Sequence, residues 1–228
     1  NIGVTWIGAP AETITLMGDK VAARNVAKKL SISVIPGTEK PITNQDDIKN
    51  IAKIIGYPVL VKAAGGGGGK GMRIVYSSDE LLHAIDRATS EAEKAFSDSR
   101  VYLEKYLEDP HHIEIQILSD SHGNHISLGE RECSIQRRYQ KIIEETPSPF
   151  IDQKLRTKLS NAAIKLARAC HYFGAGTVEF LVDKHKNWYF LEMNPRLQVE
   201  HPVTEMVNGL DLVSEQIHIA DGKPISIN

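Results

Sequence analysis

The sequence of 228 residues has little of what marks several large classes of protein. Its two cysteines, Cys133 and Cys170, are too few for a disulfide framework, so we expect a reduced compartment. There is no excess of Lys and Arg, since 27 of them face 29 Asp and Glu, which argues against a surface built for nucleic acid. No apolar run approaches the roughly 20 residues that a membrane-spanning helix needs. We therefore expect neither nucleic acid nor membrane as a partner.

The secondary-structure pattern mixes strands and helices without regular alternation. Apolar residues recur at helical spacing between Asp152 and His171, whereas residues 58–63 are rich in β-branched side chains. The predicted strands cover residues 4–7, 32–35, 58–63, 72–76, 101–107, 113–118, 126–130, 177–183 and 188–193, and the predicted helices residues 11–16, 19–30, 46–55, 79–96, 152–171 and 210–220. Ser77 and Glu80 have the spacing of a capping box. Because the alternation of a doubly wound sheet is missing, the predicted class is α+β.

Five consecutive glycines, residues 65–69, lie between two predicted strands and are followed by Lys70. Such a run costs conformational entropy on folding, and a chain tolerates it where backbone N–H groups must approach an anion. A flexible linker is the alternative interpretation, although linkers usually carry serine. The pattern predicts a strand–loop–strand flap over phosphate groups, with Lys20 and Lys62 as candidate cations.

Better-known nucleotide loops do not fit the same run. A Walker loop needs Ser or Thr after its lysine, where this chain has Gly71. A dinucleotide-binding loop needs a helix next, whereas the residues from Met72 to Tyr76 have the pattern of a strand. The protein-kinase loop has Val at the position of Arg73.

The predicted hairpin of residues 177–183 and 188–193 brings carboxylates together. A turn near residue 185 places Glu179 opposite Glu192, and Asn194 lies on the same face as Glu192. Directly opposed like charges are destabilising unless something neutralises them, and Mg²⁺ prefers such oxygen ligands. The alternative is an exposed hairpin with solvated acids.

Further charged residues follow the hairpin. Arg196 could bind a small planar oxyanion through its fork of donors, and Glu200 could act as a base. The basic run of residues 137–141 adds cations, although such a run is as often a solvated surface. His112 is by itself more often a structural residue than a ligand contact.

Five motifs together resemble the biotin carboxylases. They are residues 18–20 (GDK), 65–72 (GGGGGKGM), 104–107 (EKYL), 132–138 (ECSIQRR) and 192–206 (EMNPRLQVEHPVTEM). The resemblance spans nearly the whole chain, and it implies an ATP-grasp fold with a small mobile lid subdomain and a larger central subdomain. We expect residues 1–18 to end an N-terminal domain, 19–221 to form the ATP-grasp domain with a lid at 35–106, and 222–228 to begin a C-terminal subdomain. The chain opens on Asn1 instead of Met, so we expect a fragment.

The resemblance also implies the chemistry. ATP and bicarbonate would give carboxyphosphate, which carboxylates biotin carried on a biotin carboxyl carrier domain, with Mg²⁺ or Mn²⁺ as the metal. A carboxyltransferase subunit is the further expected partner, and the full-length protein would be an oligomer. The stretches ECSIQRR (132–138) and GTVEFLVD (176–183) look closer to acyl-CoA carboxylases, of the propionyl type, than to pyruvate carboxylase. The compartment would be a bacterial cytoplasm or a mitochondrial matrix.

The resemblance assigns roles residue by residue. The nucleotide would be bound by Lys20, Lys62, Gly68, Gly69, Glu104, Lys105, Tyr106, Leu107, His112, Gln136, Glu179, Leu181 and Glu192. The metal would be held by Glu179, Glu192 and Asn194. Bicarbonate would be fixed by Lys141, Arg196, Gln198 and Val199, and the catalytic residues would be Lys141, Arg196 and Glu200, the last as base.

The sequence departs from the family pattern in two ways, and three alternatives stay open. Tyr139 stands where many family members have a His that contacts the nucleotide, so the resemblance does not imply that contact for this chain. The family's N-terminal and C-terminal parts are missing, so we expect the fragment alone to turn over poorly. The alternatives are the corresponding domain of a pyruvate carboxylase, another carboxyphosphate-forming ATP-grasp ligase, and a non-catalytic nucleotide-binding module.

Overall fold

The computed structural model describes residues 3–38, 40–42, 45–64 and 71–227. The predicted flap, including Gly68 and Gly69, therefore lies outside the described residues. The same holds for Asn44 as the cap of a helix.

Eight strands and seven helices form the described part of the chain. In chain order they are α1 (Ala11–Gly18), α2 (Lys20–Lys29), α3 (Gln45–Ile55), β1 (Val59–Ala63), β2 (Arg73–Val75), α4 (Ser78–Phe96), β3 (Val101–Lys105), β4 (His111–Ser119), β5 (His125–Arg137), β6 (Gln140–Glu145), α5 (Gln153–Ala169), β7 (Gly174–Val182), β8 (Trp188–Asn194), α6 (His201–Asn208) and α7 (Leu212–Ala220). None of the described helices is both long and apolar enough to cross a lipid bilayer.

The strands form two antiparallel sheets, each with its own hydrophobic core. The smaller sheet has the order β2-β1-β3, and α3 and α4 pack against it. The larger has the order β6-β5-β4-β7-β8, and α1, α2 and α5 cover one face. The predicted α+β class is confirmed. The smaller sheet lies within residues 35–106, and the boundaries and mobility of that lid stay predictions.

Helix α5 illustrates how the sequence directs packing. The side chain of Asp152 accepts a hydrogen bond from the backbone N–H of Leu155 at 2.8 Å and so caps the first turn. Leu155, Leu159 and Leu166 are buried against the larger sheet, as their helical spacing predicts. Full burial of each such side chain contributes about 1.5–3 kcal/mol.

Some local predictions were wrong. Residues 4–7 form no strand, and Trp6 is exposed because no neighbouring strand in the described chain pairs with this segment. Residues 32–35 form only an isolated bridge, between Val34 and Phe190. Ser77 precedes α4 but makes no side-chain cap, and Glu80 instead accepts a hydrogen bond from the backbone N–H of Tyr76 at 3.1 Å.

Two elements were not predicted at all. Strand β6 is an edge strand whose side chains are mostly exposed, so its sequence lacks a regular apolar alternation. Helix α6 begins directly after the motif around Glu200, with Pro202 in its first turn. Both elements carry or adjoin residues of the candidate site.

Candidate active site

One cavity of about 650 Å³ lies between the two sheets and contains almost the whole predicted site. Its walls include every predicted site residue that the structure describes: Lys20, Lys62, Glu104, Lys105, Tyr106, Leu107, His112, Gln136, Lys141, Glu179, Leu181, Glu192, Asn194, Arg196, Gln198, Val199 and Glu200. Gly68 and Gly69 lie outside the described residues. The side chains come from strands of both sheets, from α2 and from the segment before α6, so residues distant in sequence converge on one space.

The carboxylate pair predicted from the hairpin is confirmed in its register. Glu179 on β7 lies opposite Glu192 on β8, and Asn194 lies opposite Thr177. Glu179 is buried, and its Oε1 accepts hydrogen bonds from Lys141 Nζ at 3.1 Å and from Asn194 Nδ2 at 2.8 Å.

Further contacts keep Glu179 ionised. His112 Nε2 lies 2.7 Å from its Oε2, and Gln198 Nε2 donates to its Oε1 at 3.1 Å. Burial alone would raise the pKa of Glu179, but His112 and Lys141 outweigh it and hold that pKa well below its usual range. The charge of Glu179 is therefore balanced by Lys141 on β6 and by side chains on β4, on β8 and in the segment before α6.

The residues on β7 and β8 fit a Mg²⁺ ion. Two carboxylates and one amide offer hard oxygen ligands on one side of the hairpin, and Glu192 is open to the cavity. A second group of potential ligands consists of His112, Glu114 and Glu179, whose ligand atoms lie within 4.8 Å of one another. Both sets share Glu179, but the two oxygens of buried Glu114 are held by Arg131 and Lys141, whereas Glu192 lines the cavity, so the hairpin set is the better metal site.

At the opposite end of the cavity, three buried charged side chains form a chain of ion pairs. Arg24 Nη1 donates to Glu104 Oε1 at 2.5 Å, and Lys62 Nζ donates to Glu104 Oε2 at 2.9 Å. Burial alone would lower the pKa of Lys62, but Glu104 outweighs it and raises that pKa. Both oxygens of Glu104, which was predicted to contact the nucleotide through its side chain, are thus engaged by cations.

Two further cavity residues show how this end is held. Lys20 lies 3.8 Å from Glu192, and burial lowers its pKa. The side chain of Lys105 donates to the carbonyl groups of Gly56 and Tyr57 at 3.0 and 2.9 Å. Because the Lys105 ammonium is hydrogen-bonded to the segment before β1, the backbone and the aliphatic part of the side chain are the parts of Lys105 left to line the cavity.

At the other end of the cavity, Lys141 on β6 is the cation that several carboxylates share. Its ammonium donates to the carboxylates of Glu114, Glu179 and Glu200, the last at 2.6 Å. Burial alone would lower the pKa of Lys141, but the three carboxylates raise it. The hydrogen bond from Lys141 in turn outweighs burial and lowers the pKa of Glu200, so that this carboxyl is ionised at neutral pH.

Arg196 and Gln198 complete this end. Arg196 is exposed at the cavity wall, where its Nη1 donates to the carbonyl group of Leu197 at 3.2 Å. Gln198 is buried, and Val199 is almost fully exposed. Glu200 precedes α6 as its N-cap residue.

Three buried charged residues of this region were missed from the sequence: Arg24, Glu114 and Arg131. A signal for Glu114 was present, because β4 alternates polar and apolar side chains from His112 to Ile117 although it is a central strand. A polar face on a buried strand indicates a polar site. Arg24 gives no such signal, because it stands among lysines on an ordinary amphipathic helix.

Similarity to known proteins agrees with this geometry. The family described as carbamoyl-phosphate synthase L chain, ATP binding domain, matches residues 19–228. The propionyl-CoA carboxylase alpha chain of Ruegeria pomeroyi is 51% identical over 99% of this chain and 33% of its own length. One of the pyruvate carboxylase subunits of Methanothermobacter thermautotrophicus is 51% identical over 98% of this chain and 45% of its own length.

A solved structure gives the same picture. The biotin carboxylase of Campylobacter jejuni, in its β-γ-ATP complex, superposes with a TM-score of 0.94 at 50% identity, covering 96% of this chain and 49% of the other. The resemblance to biotin carboxylases and the ATP-grasp fold are confirmed. The chain spans a third to a half of the length of the proteins it matches.

Proposed function

Since the chain belongs to the family of the carbamoyl-phosphate synthase L chain ATP-binding domain, we propose that it is the ATP-grasp core of a biotin carboxylase. The full-length protein would use ATP and bicarbonate to carboxylate biotin on a biotin carboxyl carrier domain. The observation that supports this most is the division of one cavity into two ends. Lys20 and Lys62 lie at one end, and Arg196, Lys141 and Glu200 lie at the other.

The first end suits the triphosphate of ATP. Lys20 and Lys62 would neutralise phosphate oxygens, and residues 104–107 would line the adenine slot beside them. Glu179, Glu192 and Asn194 would hold Mg²⁺ or Mn²⁺, which when bound neutralises charge on the transferring phosphoryl group. Phosphoryl transfer depends mainly on positioning and charge neutralisation, and these residues supply both.

The second end suits bicarbonate. The guanidinium of Arg196, the amide of Gln198, the backbone of Val199 and the ammonium of Lys141 are donors for a small planar anion. Glu200 would take the proton of bicarbonate, and an oxygen of the resulting carbonate would attack the γ-phosphorus. The bond from the γ-phosphorus to the ADP oxygen breaks, which gives ADP and carboxyphosphate. Lys141 neutralises charge beside the reacting oxygen throughout.

The second step of biotin carboxylation requires a partner. Carboxyphosphate would transfer its carboxyl group to the ureido nitrogen of biotin, its carbon–oxygen bond to the phosphoryl group would break, and the phosphate that leaves would take the proton of that nitrogen. The partners we propose are the carrier domain and a carboxyltransferase subunit, within an oligomer of the full-length protein. Its compartment would be a bacterial cytoplasm or a mitochondrial matrix.

For the final acceptor we propose an acyl-CoA, of the acetyl or propionyl type. The similarity to a propionyl-CoA carboxylase chain supports this assignment, and the equal identity to part of a pyruvate carboxylase makes pyruvate the competing acceptor. Mass spectrometry of the biotinylated partner that co-purifies with the full-length protein would separate the two.

The decisive experiment replaces the proposed base. In the full-length protein, Glu200→Gln should reduce biotin-stimulated, bicarbonate-dependent ATP cleavage by roughly a thousandfold, because general base catalysis typically contributes 10²–10⁴-fold. Nucleotide affinity should not change. The matched control is Glu205→Gln in α6, the helix that Glu200 caps; this variant keeps an oxygen for the backbone N–H of Leu212, and residue 205 does not line the cavity.

The alternatives predict different results. A non-catalytic nucleotide-binding module would bind ATP equally well before and after Glu200→Gln and would show no cleavage to lose. Another carboxyphosphate-forming ligase would cleave ATP with bicarbonate, but free biotin would not stimulate the reaction.

A further inference from the structure

We infer that Arg131 is a positioning residue for the bicarbonate end of the cavity, where its guanidinium fixes the amide of Gln198 and, through Glu114, the ammonium of Lys141. This inference rests on the function proposed above. Arg131 itself does not line the cavity. It would act on bicarbonate only through the residues that it holds.

The guanidinium of Arg131 is fully buried and uses all its donors. It lies on β5, in the interior of the larger sheet, with none of its side chain exposed. Its hydrogen bonds are Nε to Glu114 Oε1 at 2.5 Å, Nη1 to Gln116 Oε1 at 2.7 Å and to Thr204 Oγ1 at 2.8 Å, and Nη2 to Thr177 Oγ1 at 3.2 Å and to Gln198 Oε1 at 3.3 Å. Five donors meet five acceptors from two strands, one helix and one loop.

The contact with Gln198 selects one orientation of its amide. A guanidinium only donates hydrogen bonds, so the oxygen of the amide must face Arg131. The amide nitrogen of Gln198 then faces the other way, where it donates to Glu179 at 3.1 Å. Rotation of the amide by 180° would set two donors against each other in a buried space, which is costly. Arg131 therefore keeps the donor group of Gln198 turned toward the anion end.

A second connection leads to Lys141. Glu114 is fully buried and has one oxygen on Arg131 and the other on Lys141. Without Arg131, the carboxylate of Glu114 would lose the hydrogen bond that fixes its orientation. Lys141 alone would then have to neutralise the charge of Glu114. A third connection runs through Thr204 in α6, the helix that begins after Glu200.

A purely structural role would give a different functional pattern. If Arg131 only held the sheet together, its replacement would raise the KM values of all substrates similarly or would raise none of them. If it positions Gln198 and Lys141, the loss should be confined to bicarbonate. The nucleotide end has its own arginine, Arg24, whose hydrogen bonds to Glu104 and Ile35 involve none of the partners of Arg131.

The experiment uses Arg131→Lys in the full-length protein with steady-state ATP cleavage. Lysine keeps the charge but cannot reach Glu114 and Gln198 together. We expect the KM for bicarbonate to rise by about tenfold or more, because the loss of one hydrogen bond to a charged group changes an equilibrium constant by about that factor. The KM for ATP and the Kd for ADP should stay within about twofold, since neither ligand depends on these contacts. An equal rise in both KM values, or no rise for bicarbonate, would overturn the inference.

A double-mutant cycle tests whether Arg131 acts through Gln198. Combining Arg131→Lys with Gln198→Leu should raise the KM for bicarbonate by much less than the product of the two single effects. Effects that multiply fully would mean that Arg131 does not act through Gln198, which contradicts the inference.

The matched control is Arg156→Lys. Arg156 makes a bidentate pair with Glu130, the residue before Arg131, at 2.8 Å, but it does not line the cavity. Both KM values should be unchanged. A bicarbonate effect of the same size would show that any disturbance of β5 suffices and would overturn a specific role for Arg131.

Two further outcomes have a defined meaning. If Arg131→Lys fails to fold, the charge-neutral pair Arg131→Met with Glu114→Gln leaves no unpaired buried charge, and its bicarbonate KM should show the same selective rise. An unchanged bicarbonate KM in that variant would overturn the inference. If the unaltered protein shows no bicarbonate-dependent cleavage, the proposed function fails before any variant is made, and the inference fails with it.

Discussion

The two ends of the cavity are built on the same arrangement of charges, with one difference. At the proposed nucleotide end, Arg24 and Lys62 share the two oxygens of Glu104. At the proposed bicarbonate end, Arg131 and Lys141 share the two oxygens of Glu114. In both, an arginine outside the cavity wall anchors a buried carboxylate, and a lysine on the cavity wall takes the other oxygen.

The lysines differ in their other partners. Lys62 binds the carboxylate of Glu104, whereas Lys141 binds those of Glu114, Glu179 and Glu200. A lysine that is paired with one carboxylate among the described residues is a cation suited to phosphate oxygens, which carry charge throughout the proposed reaction. A lysine shared among three carboxylates can exchange one of them for an anion, which suits a substrate that loses its proton beside Glu200.

The first and largest test compares the two carboxylates by their effect on stability. Glu104→Gln should lower the free energy of unfolding by about 3–5 kcal/mol, because both cations of a buried pair lose their charge partner. Glu114→Gln should lower the free energy of unfolding by less, since Lys141 stays paired with Glu179 and Glu200. Thermal unfolding of the full-length variants at a fixed scan rate would measure both.

The control for this comparison is Glu108→Gln, at an exposed position three residues after β3, which should change stability by no more than about 0.5 kcal/mol. Equal losses of unfolding free energy in Glu104→Gln and Glu114→Gln would contradict the view that Glu179 and Glu200 can keep Lys141 paired without Glu114.

The second test concerns the close packing that fixes the nucleotide end. A Cβ atom on Gly37 would lie 2.3 Å from the backbone oxygen of Leu103 and 3.1 Å from Nη2 of Arg24. Gly37→Ala should therefore destabilise the protein by about 1–3 kcal/mol, as overpacking does elsewhere. The control Gly18→Ala, where a Cβ meets nothing within 4 Å, should be neutral or slightly stabilising. Similar unfolding temperatures for the two variants would show that Gly37 can move aside.

Much of this architecture could be predicted from the sequence, for reasons visible in particular residues. The register of Glu179 against Glu192 followed from the short hairpin turn, because strand geometry leaves few ways to pair two strands across it. The helix of Gln153 to Ala169 followed from its apolar spacing. Described residues from all five motifs that resemble biotin carboxylases line one cavity.

The rest depends on contacts between distant residues, which local patterns do not encode. Arg24 and Glu104 are 80 residues apart, and nothing beside either residue indicates the other. Arg131 stands in a stretch that alternates charges, so its burial follows only from the interior place of β5 in the sheet. Strand β6 could not be predicted because an exposed edge strand needs no apolar alternation.

The last and smallest test is the counterpart of the experiment on Arg131. Arg24 also donates to the carbonyl group of Ile35 at 2.7 Å, so that it connects α2 to the segment that enters the smaller sheet. Arg24→Lys cannot keep both contacts and should leave Lys62 less firmly placed. We expect the KM for ATP in the full-length protein to rise by up to about tenfold, because about that factor corresponds to the loss of one hydrogen bond to a charged group. The KM for bicarbonate should be unchanged.

The outcome for bicarbonate decides what the comparison means. Opposite selectivity in Arg24→Lys and Arg131→Lys would show that each arginine serves only its own end of the cavity. A rise of the bicarbonate KM in Arg24→Lys would show instead that the ends are coupled. The connection would then run through the two carboxylates beside Lys20 and Lys141, because Glu192 lies 3.8 Å from Lys20 and opposite Glu179 in the hairpin. The hairpin would then transmit the state of the proposed phosphate cations to Glu200, the proposed base.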